Sequence, residues 1–250
     1  MSEALGIVVR AAGIPADRTA AGASVRTLLD TGSDEPGLIR RLVDLPPSTR
    51  FCGTAGRAGE LWFVLDGSGQ LDMAGRPGMP LSRDRGVLLP PGAAYEVRAG
   101  READLRLDVV SLPAATRHTS AAAGQGQAAR LPLSRDLADC EVEAAGNRQF
   151  RVLFGPGRDC AAATQFVGEI PPGRAPDHSH PYDEVVLILQ GRGLAHVGGA
   201  EHPVAAGTCA HLPPGLVHCL ENTGRGTMRV LGVFHPADSP AAKLEDGHPD

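Results

Sequence analysis

The 250-residue chain repeats itself. Glu60-Leu61-Trp62-Phe63-Val64-Leu65-Asp66-Gly67-Ser68-Gly69 sits beside Glu184-Val185-Val186-Leu187-Ile188-Leu189-Gln190-Gly191-Arg192-Gly193 at an offset of 124 residues (60 to 184). Both read as a glutamate, an apolar run and Gly-x-Gly. Leu89-Pro90-Pro91-Gly92 answers Leu212-Pro213-Pro214-Gly215 at 123 (90 to 213), and Pro46-Pro47 answers Pro171-Pro172 at 125 (46 to 171). Three anchors in one order at a nearly constant offset mean two copies of one fold. The small-residue stretch 119–129 reads as a linker. It divides the chain into a first domain over 1–118 and a second over 130–240, with a tail at 241–250.

Gly 32 and Pro 21 punctuate both halves and disfavour long helices. The run 185–189 ends in a glycine turn, as expected of a strand buried on both faces. Gly198-Gly199 reads as a hairpin turn between strands at 194–197 and 202–204. Further strands are expected at 209–212, 217–221 and 229–234. Helix candidates are limited to 24–29 and 134–139. The expected fold class is all-β, as a pair of sandwiches or barrels. A net charge of −5 gives no basic field for nucleic acid or an anionic membrane. No apolar run reaches the roughly 20 residues of a membrane helix. Five cysteines without a CxxC suit a reduced, cytoplasmic setting, most of them as small buried residues.

The chemistry-bearing residues cluster in the second copy. His178 and His180 share one face if they lie on a strand, and Glu184 returns to the same interior after Pro181. Two imidazoles and a carboxylate suit a divalent transition metal. A His-x-His pair alone is weak evidence. The second half of the pattern is specific: Gly207-x5-Pro213-x-Gly215-x2-His218-x3-Asn222.

With Gly173…His178-x-His180-x3-Glu184-x6-Gly191 before it, this pattern resembles the two motifs of the cupin superfamily, with one residue fewer than usual between Gly173 and His178. The resemblance extends over both copies. It implies a bicupin of two tandem double-stranded β-helix (jelly-roll) barrels, with a homodimer as the expected assembly. It also implies that His178, His180, Glu184 and His218 ligate one divalent metal, whether Fe, Mn, Ni, Co, Cu or Zn. The first copy keeps Glu60 but has Thr54 and Gly56 at the first two histidine positions and Tyr95 at the third. It reads as a metal-free assembly or lid element with Trp62 in its core. A small-molecule site around Trp62 and Tyr95 is the alternative.

The implied function is a metal-dependent enzyme acting on a small anionic or enolizable molecule, first a dioxygenase-type oxidoreductase. A non-redox isomerase, cyclase or lyase is the alternative, and a non-catalytic metabolite-binding cupin the next. His211 is the one catalytic candidate: if the face it shares with Cys209 is the interior, it stands near the metal as a proton donor or acceptor. Tyr182 and His196 are weaker candidates, and Arg151 and Gln165 are possible pocket residues. His118, His202, His235 and His248 read as solvated, and the charged stretch 98–108 as a solvent face. No evident lid carboxylate speaks for oxalate decarboxylation.

Overall fold

The two Glu-led apolar runs become the strands Glu60–Asp66 and Asp183–Gln190, each hydrogen-bonded on both edges and mostly buried on both faces. Burial on both sides explains why their hydrophobicity is continuous rather than alternating. The computed structural model describes residues 6–19, 21–32, 37–74, 76–113 and 133–241. The linker at 119–129, His118, His248 and residues 242–250 lie outside that set. Among the described residues the chain forms strands and two 3-10 turns, Ala11–Gly13 and Leu137–Asp139, so the architecture is all-β. No helix there is long and apolar enough to cross a membrane.

Two compact units emerge, Ile14–Asp139 and Met1–Gly13 with Cys140–Asp250. The first has a seven-stranded sheet and a four-stranded sheet. Its larger sheet runs Leu133–Asp136, Arg85–Leu89, Glu60–Asp66, Leu105–Ser111, Ile39–Leu45, Ser24–Asp30, Asp17–Arg18. The second unit repeats the scheme: Ile7–Arg10, Thr208–Leu212, Asp183–Gln190, Met228–His235, Thr164–Ile170, Arg148–Phe154, Glu143–Ala145. Its smaller sheet holds Gly173–Arg174, His218–Asn222, Arg192–Val197 and Ala200–Ala205. Both are two-sheet barrels of the jelly-roll kind.

These units cut across the expected boundaries of 1–118 and 130–240. Ile7–Arg10 pairs with Thr208–Leu212 at the edge of the second unit's sheet, and Leu133–Asp136 pairs with Arg85–Leu89 at the edge of the first. The second barrel's sheet is therefore closed by a strand that precedes the first barrel in sequence, and the first barrel's by a strand that follows the expected linker yet belongs to the first unit. Covering a sheet edge satisfies its free N–H and C=O groups, which is the physical reason for both edge strands.

Both helix expectations fail. Residues 24–29 lie in the strand Ser24–Asp30, where Val25 and Thr27 favour a pleated backbone and pairing with Ile39–Leu45 decides the outcome. Residues 134–139 divide into the strand Leu133–Asp136 and the turn Leu137–Asp139. The expected hairpin is present, with Gly198 at φ 55° and Gly199 at φ 83° between Arg192–Val197 and Ala200–Ala205. Those positive angles suit a primed turn, which matches the twist of the strands it joins. Of the five cysteines, Cys140, Cys160, Cys209 and Cys219 are buried and Cys52 is exposed, all as free thiols.

The stretch 98–108 is not wholly a solvent face. Asp108 is fully buried and takes a bidentate pair from Arg40, Nε to Oδ1 at 2.8 Å and Nη2 to Oδ2 at 3.0 Å. The two charges sit on the neighbouring strands Ile39–Leu45 and Leu105–Ser111. Removing one partner leaves the other charge uncompensated in the interior. Asp108→Ala should cost about 3–5 kcal/mol of stability in urea unfolding, whereas replacing both groups together with Met and Leu should cost much less.

Candidate metal centre

His178, His180 and His218 come together in the second unit, their ligand atoms all within 4.8 Å of one another. The first two do not share a strand, as the i, i+2 argument supposed. His178 instead makes an isolated bridge to His218, in which each N–H donates to the other's carbonyl at 3.0 and 2.8 Å. The Pro213-Pro214-Gly215 corner adds a third tie: Gly215 N–H donates to the His180 carbonyl at 2.8 Å. Gly215 has φ 76°, which a side chain would make costly. Asn222, the last residue of the second motif, does not face the imidazoles. Its amide donates to the Ile170 and Gly226 carbonyls and its oxygen accepts from Gly224 N–H, which pins the turn beyond His218.

The side chains are oriented as firmly as the backbone. His178 Nδ1 lies 3.0 Å from the Pro176 carbonyl, and His218 Nδ1 lies 2.8 Å from the Leu216 carbonyl. A carbonyl only accepts, so both rings carry their proton on Nδ1 and leave the Nε2 lone pair free. For His180 the partner is the Tyr182 hydroxyl, 3.0 Å from Nδ1. Tyr182 donates to the Ser239 carbonyl at 3.4 Å, so its oxygen accepts from His180 Nδ1–H and the same tautomer follows. The Tyr182 ring is stacked between His180 (4.7 Å, 11°) and Phe234 (4.1 Å, 16°).

Glu184 completes the group. Its Oε2 lies 3.7 Å from His180 Nε2 and 4.0 Å from His218 Nε2. In a loaded site neighbouring donors stand roughly 3.0–3.4 Å apart, so a small contraction suffices. Burial, chiefly, brings the His218 pKa down to about 4, with the nearby His178 and Arg148 acting in the same direction. The imidazole is therefore neutral and its lone pair available at ordinary pH. Three Nε2 atoms with fixed tautomers and one carboxylate make a donor set that fits a divalent transition metal.

The four side chains open onto a cavity of about 400 Å³, whose wall includes Phe150, Phe166, Val186 and Leu212. Arg148 and Arg174 line it too. Arg174 is engaged with Asp177 and with the Cys219 sulfur. Arg148 is half-buried and has no carboxylate partner among the described residues; burial lowers its pKa, opposed by the fields of Cys219 and Glu184.

Residues 166–234 match the family described as Cupin domain. The second unit thus carries a cupin domain. Solved bicupin structures match over nearly its whole length. A putative glyoxylate-induced protein from Pseudomonas aeruginosa superposes with a TM-score of 0.75 at 14% identity, covering 99% of this chain and 92% of that one. Ylba from E. coli gives 0.74 at 11%, covering 94% and 92%. Oxalate decarboxylase from Bacillus subtilis gives 0.75 at 14%, covering 95% and 78%. At such identities the likeness establishes the fold. No curated protein matches the sequence.

The other expected site residue falls elsewhere. In the pairing of Asp183–Gln190 with Thr208–Leu212, Glu184 opposes Leu212 and Val185 opposes His211. Cross-strand partners share a face, so His211 points away from the face that carries Glu184. It is bonded through Nε2 to Asp183 Oδ1 at 2.9 Å, on that opposite side. The expectation that His211 stands beside the ligands is thus corrected: strand parity runs the other way. His196 pairs with Glu221 at 2.9 Å, and Arg151 with Glu169 at 3.0 Å. Tyr182 is a buried packing residue that orients His180.

Sequence reasoning missed Arg148, which belongs to neither motif. The available signal was its place at the head of a strand, Arg148–Phe154, that enters the barrel's larger sheet. His180→Ala should abolish retention of one metal per chain, as measured by inductively coupled plasma mass spectrometry. Tyr182→Phe should keep the metal but weaken its affinity by about 10-fold or more, because His180 loses the partner that fixes its tautomer.

Proposed function

We propose that this cupin is a divalent-metal-dependent enzyme acting on a small organic carboxylate in its second barrel, by oxygen-dependent chemistry of the dioxygenase type. The observation that carries the reading is the convergence of three Nε2 atoms and Glu184 on a cavity of about 400 Å³ that also holds Arg148. His178, His180, Glu184 and His218 would hold the ion. Bound there, a divalent metal supplies Lewis acidity and, if redox-active, a path for electrons.

The chain's own residues account for the rest. Arg148 offers a planar fork of N–H donors that matches a carboxylate, so it orients an anionic substrate toward the imidazoles. Phe150 and Phe166 keep the cavity wall apolar, which strengthens that charge pairing by excluding water. Tyr182 holds the His180 ring from behind. A proton relay at His211 was the argument for an isomerase, cyclase or lyase, and the face it occupies removes that support. The Bacillus subtilis oxalate decarboxylase that shares the fold has Mn(II) centres, in keeping with a redox-active ion here.

Metal analysis of the purified protein followed by oxygen-electrode assays with oxalate, pyruvate and catechol tests the proposal. Iron, manganese, nickel, cobalt or copper with substrate-dependent oxygen uptake is the expected result. Full zinc occupancy without uptake would overturn the redox assignment and leave Lewis-acid chemistry, and turnover of nothing would leave metabolite binding. Arg148→Gln should raise KM about 10-fold or more for a carboxylate substrate while changing kcat less.

A further inference from the structure

The first barrel, which lacks the imidazoles, has the larger cavity. It measures about 960 Å³ and lies at the place where the second barrel holds its histidines: Thr54, Gly56, Glu60 and Tyr95 all line it. The backbone tie is repeated as well, with Gly92 N–H donating to the Gly56 carbonyl at 3.2 Å. That volume is in the range of small-molecule sites, about 300–1,000 Å³.

Its wall is specialised in a way loss of a metal site does not explain. Register equates Arg41, Trp62 and Val109 of the first barrel with Phe166, Val186 and Gly232 of the second. In the second barrel Phe166 packs so closely over Gly232 that a Cβ there would collide with its ring. In the first, the same position carries an arginine. Arg41 Nη1 donates to Ser111 Oγ at 2.9 Å, and among the described residues no carboxylate pairs with it. A guanidinium has five N–H donors, so most of its capacity is left for a ligand.

Glu60, the surviving carboxylate, is occupied. Its Oε2 accepts from Trp62 Nε1 at 2.8 Å, and its Oε1 accepts from Ser111 Oγ at 3.1 Å and Gly56 N–H at 3.3 Å. It anchors the floor; Asp30 and Arg57 on the same wall are solvent-exposed, and the half-buried uncommitted charge is Arg41. Tyr95 stands edge-on to Trp62 at 4.8 Å and 87°, forming an aromatic corner with Phe51 beyond at 6.3 Å. Gly53 makes room for it, because a Cβ there would collide with the Tyr95 hydroxyl. A perpendicular pair of rings receives a flat body on one face and one edge. We propose that this cavity binds a small organic carboxylate with a flat apolar body, its carboxylate on Arg41 and its body in the Trp62–Tyr95 corner.

The chain's one tryptophan is Trp62, so its emission reports on this cavity and not on the metal centre. Benzoate titrated into the full-length protein should change that emission saturably, with half-saturation below about 1 mM. Benzamide, of the same shape without the charge, should bind at least about tenfold more weakly. Arg41→Gln should lose benzoate to the same degree without a shift in thermal midpoint, and His180→Ala should bind it as the unmodified protein does. No saturable change, or equal affinity for benzoate and benzamide, would overturn the proposal without need of any variant. Loss of binding in His180→Ala would move the ligand to the second barrel and overturn it too. None of these outcomes bears on the enzyme reading of the metal centre.

Discussion

The reciprocal backbone pair between His178 and His218 is the constraint on which the metal centre depends. It joins the two halves of the motif, forty residues apart in sequence, before any ion is involved. The Gly215-to-His180 bond fixes the third imidazole to the same frame. With the backbone held, carbonyls and a phenol set the ring tautomers, and the Nε2 atoms face Glu184 at close to coordination spacing. The donor set is thus prearranged by neutral hydrogen bonds, which do not compete with the metal for the lone pairs they expose.

Much of this was legible in the residues. The duplication, the central strands, the Gly198-Gly199 hairpin and the spacing of His178, His180, Glu184 and His218 all follow from patterns short enough to read directly. What escaped depends on pairing between distant segments. The parity of His211 could not be read from Thr208–Leu212 alone, because it is set by which residue opposes Glu184. The stretch 24–29 lacks strong alternation, and its strand exists because Ile39–Leu45 lies beside it. Arg148 and Arg41 stand outside every motif, and only the folded barrel shows that each lines a cavity.

The two barrels show one scaffold serving two interiors. The larger sheets keep the same strand order, and the Pro-Pro-Gly corner makes the same backbone tie in both. The inward-facing positions differ in kind: histidines and Phe166 in one, Arg41, Trp62 and Tyr95 in the other. Because alternate residues of a strand face opposite sides, the inward set can change without altering the backbone pairing that holds the barrel.

The edge strand Ile7–Arg10 has a consequence for how the protein is made. During synthesis Ile7–Arg10 leaves the ribosome about 200 residues before the edge it covers, Thr208–Leu212 (7 to 211 in register). The first barrel needs only the strand at its own end, Leu133–Asp136, to seal Arg85–Leu89. The first barrel is complete within the contiguous stretch Ile14–Asp139, whereas the second reaches its final strand count only with a segment that precedes the first, so the second copy is tied to its place in this chain.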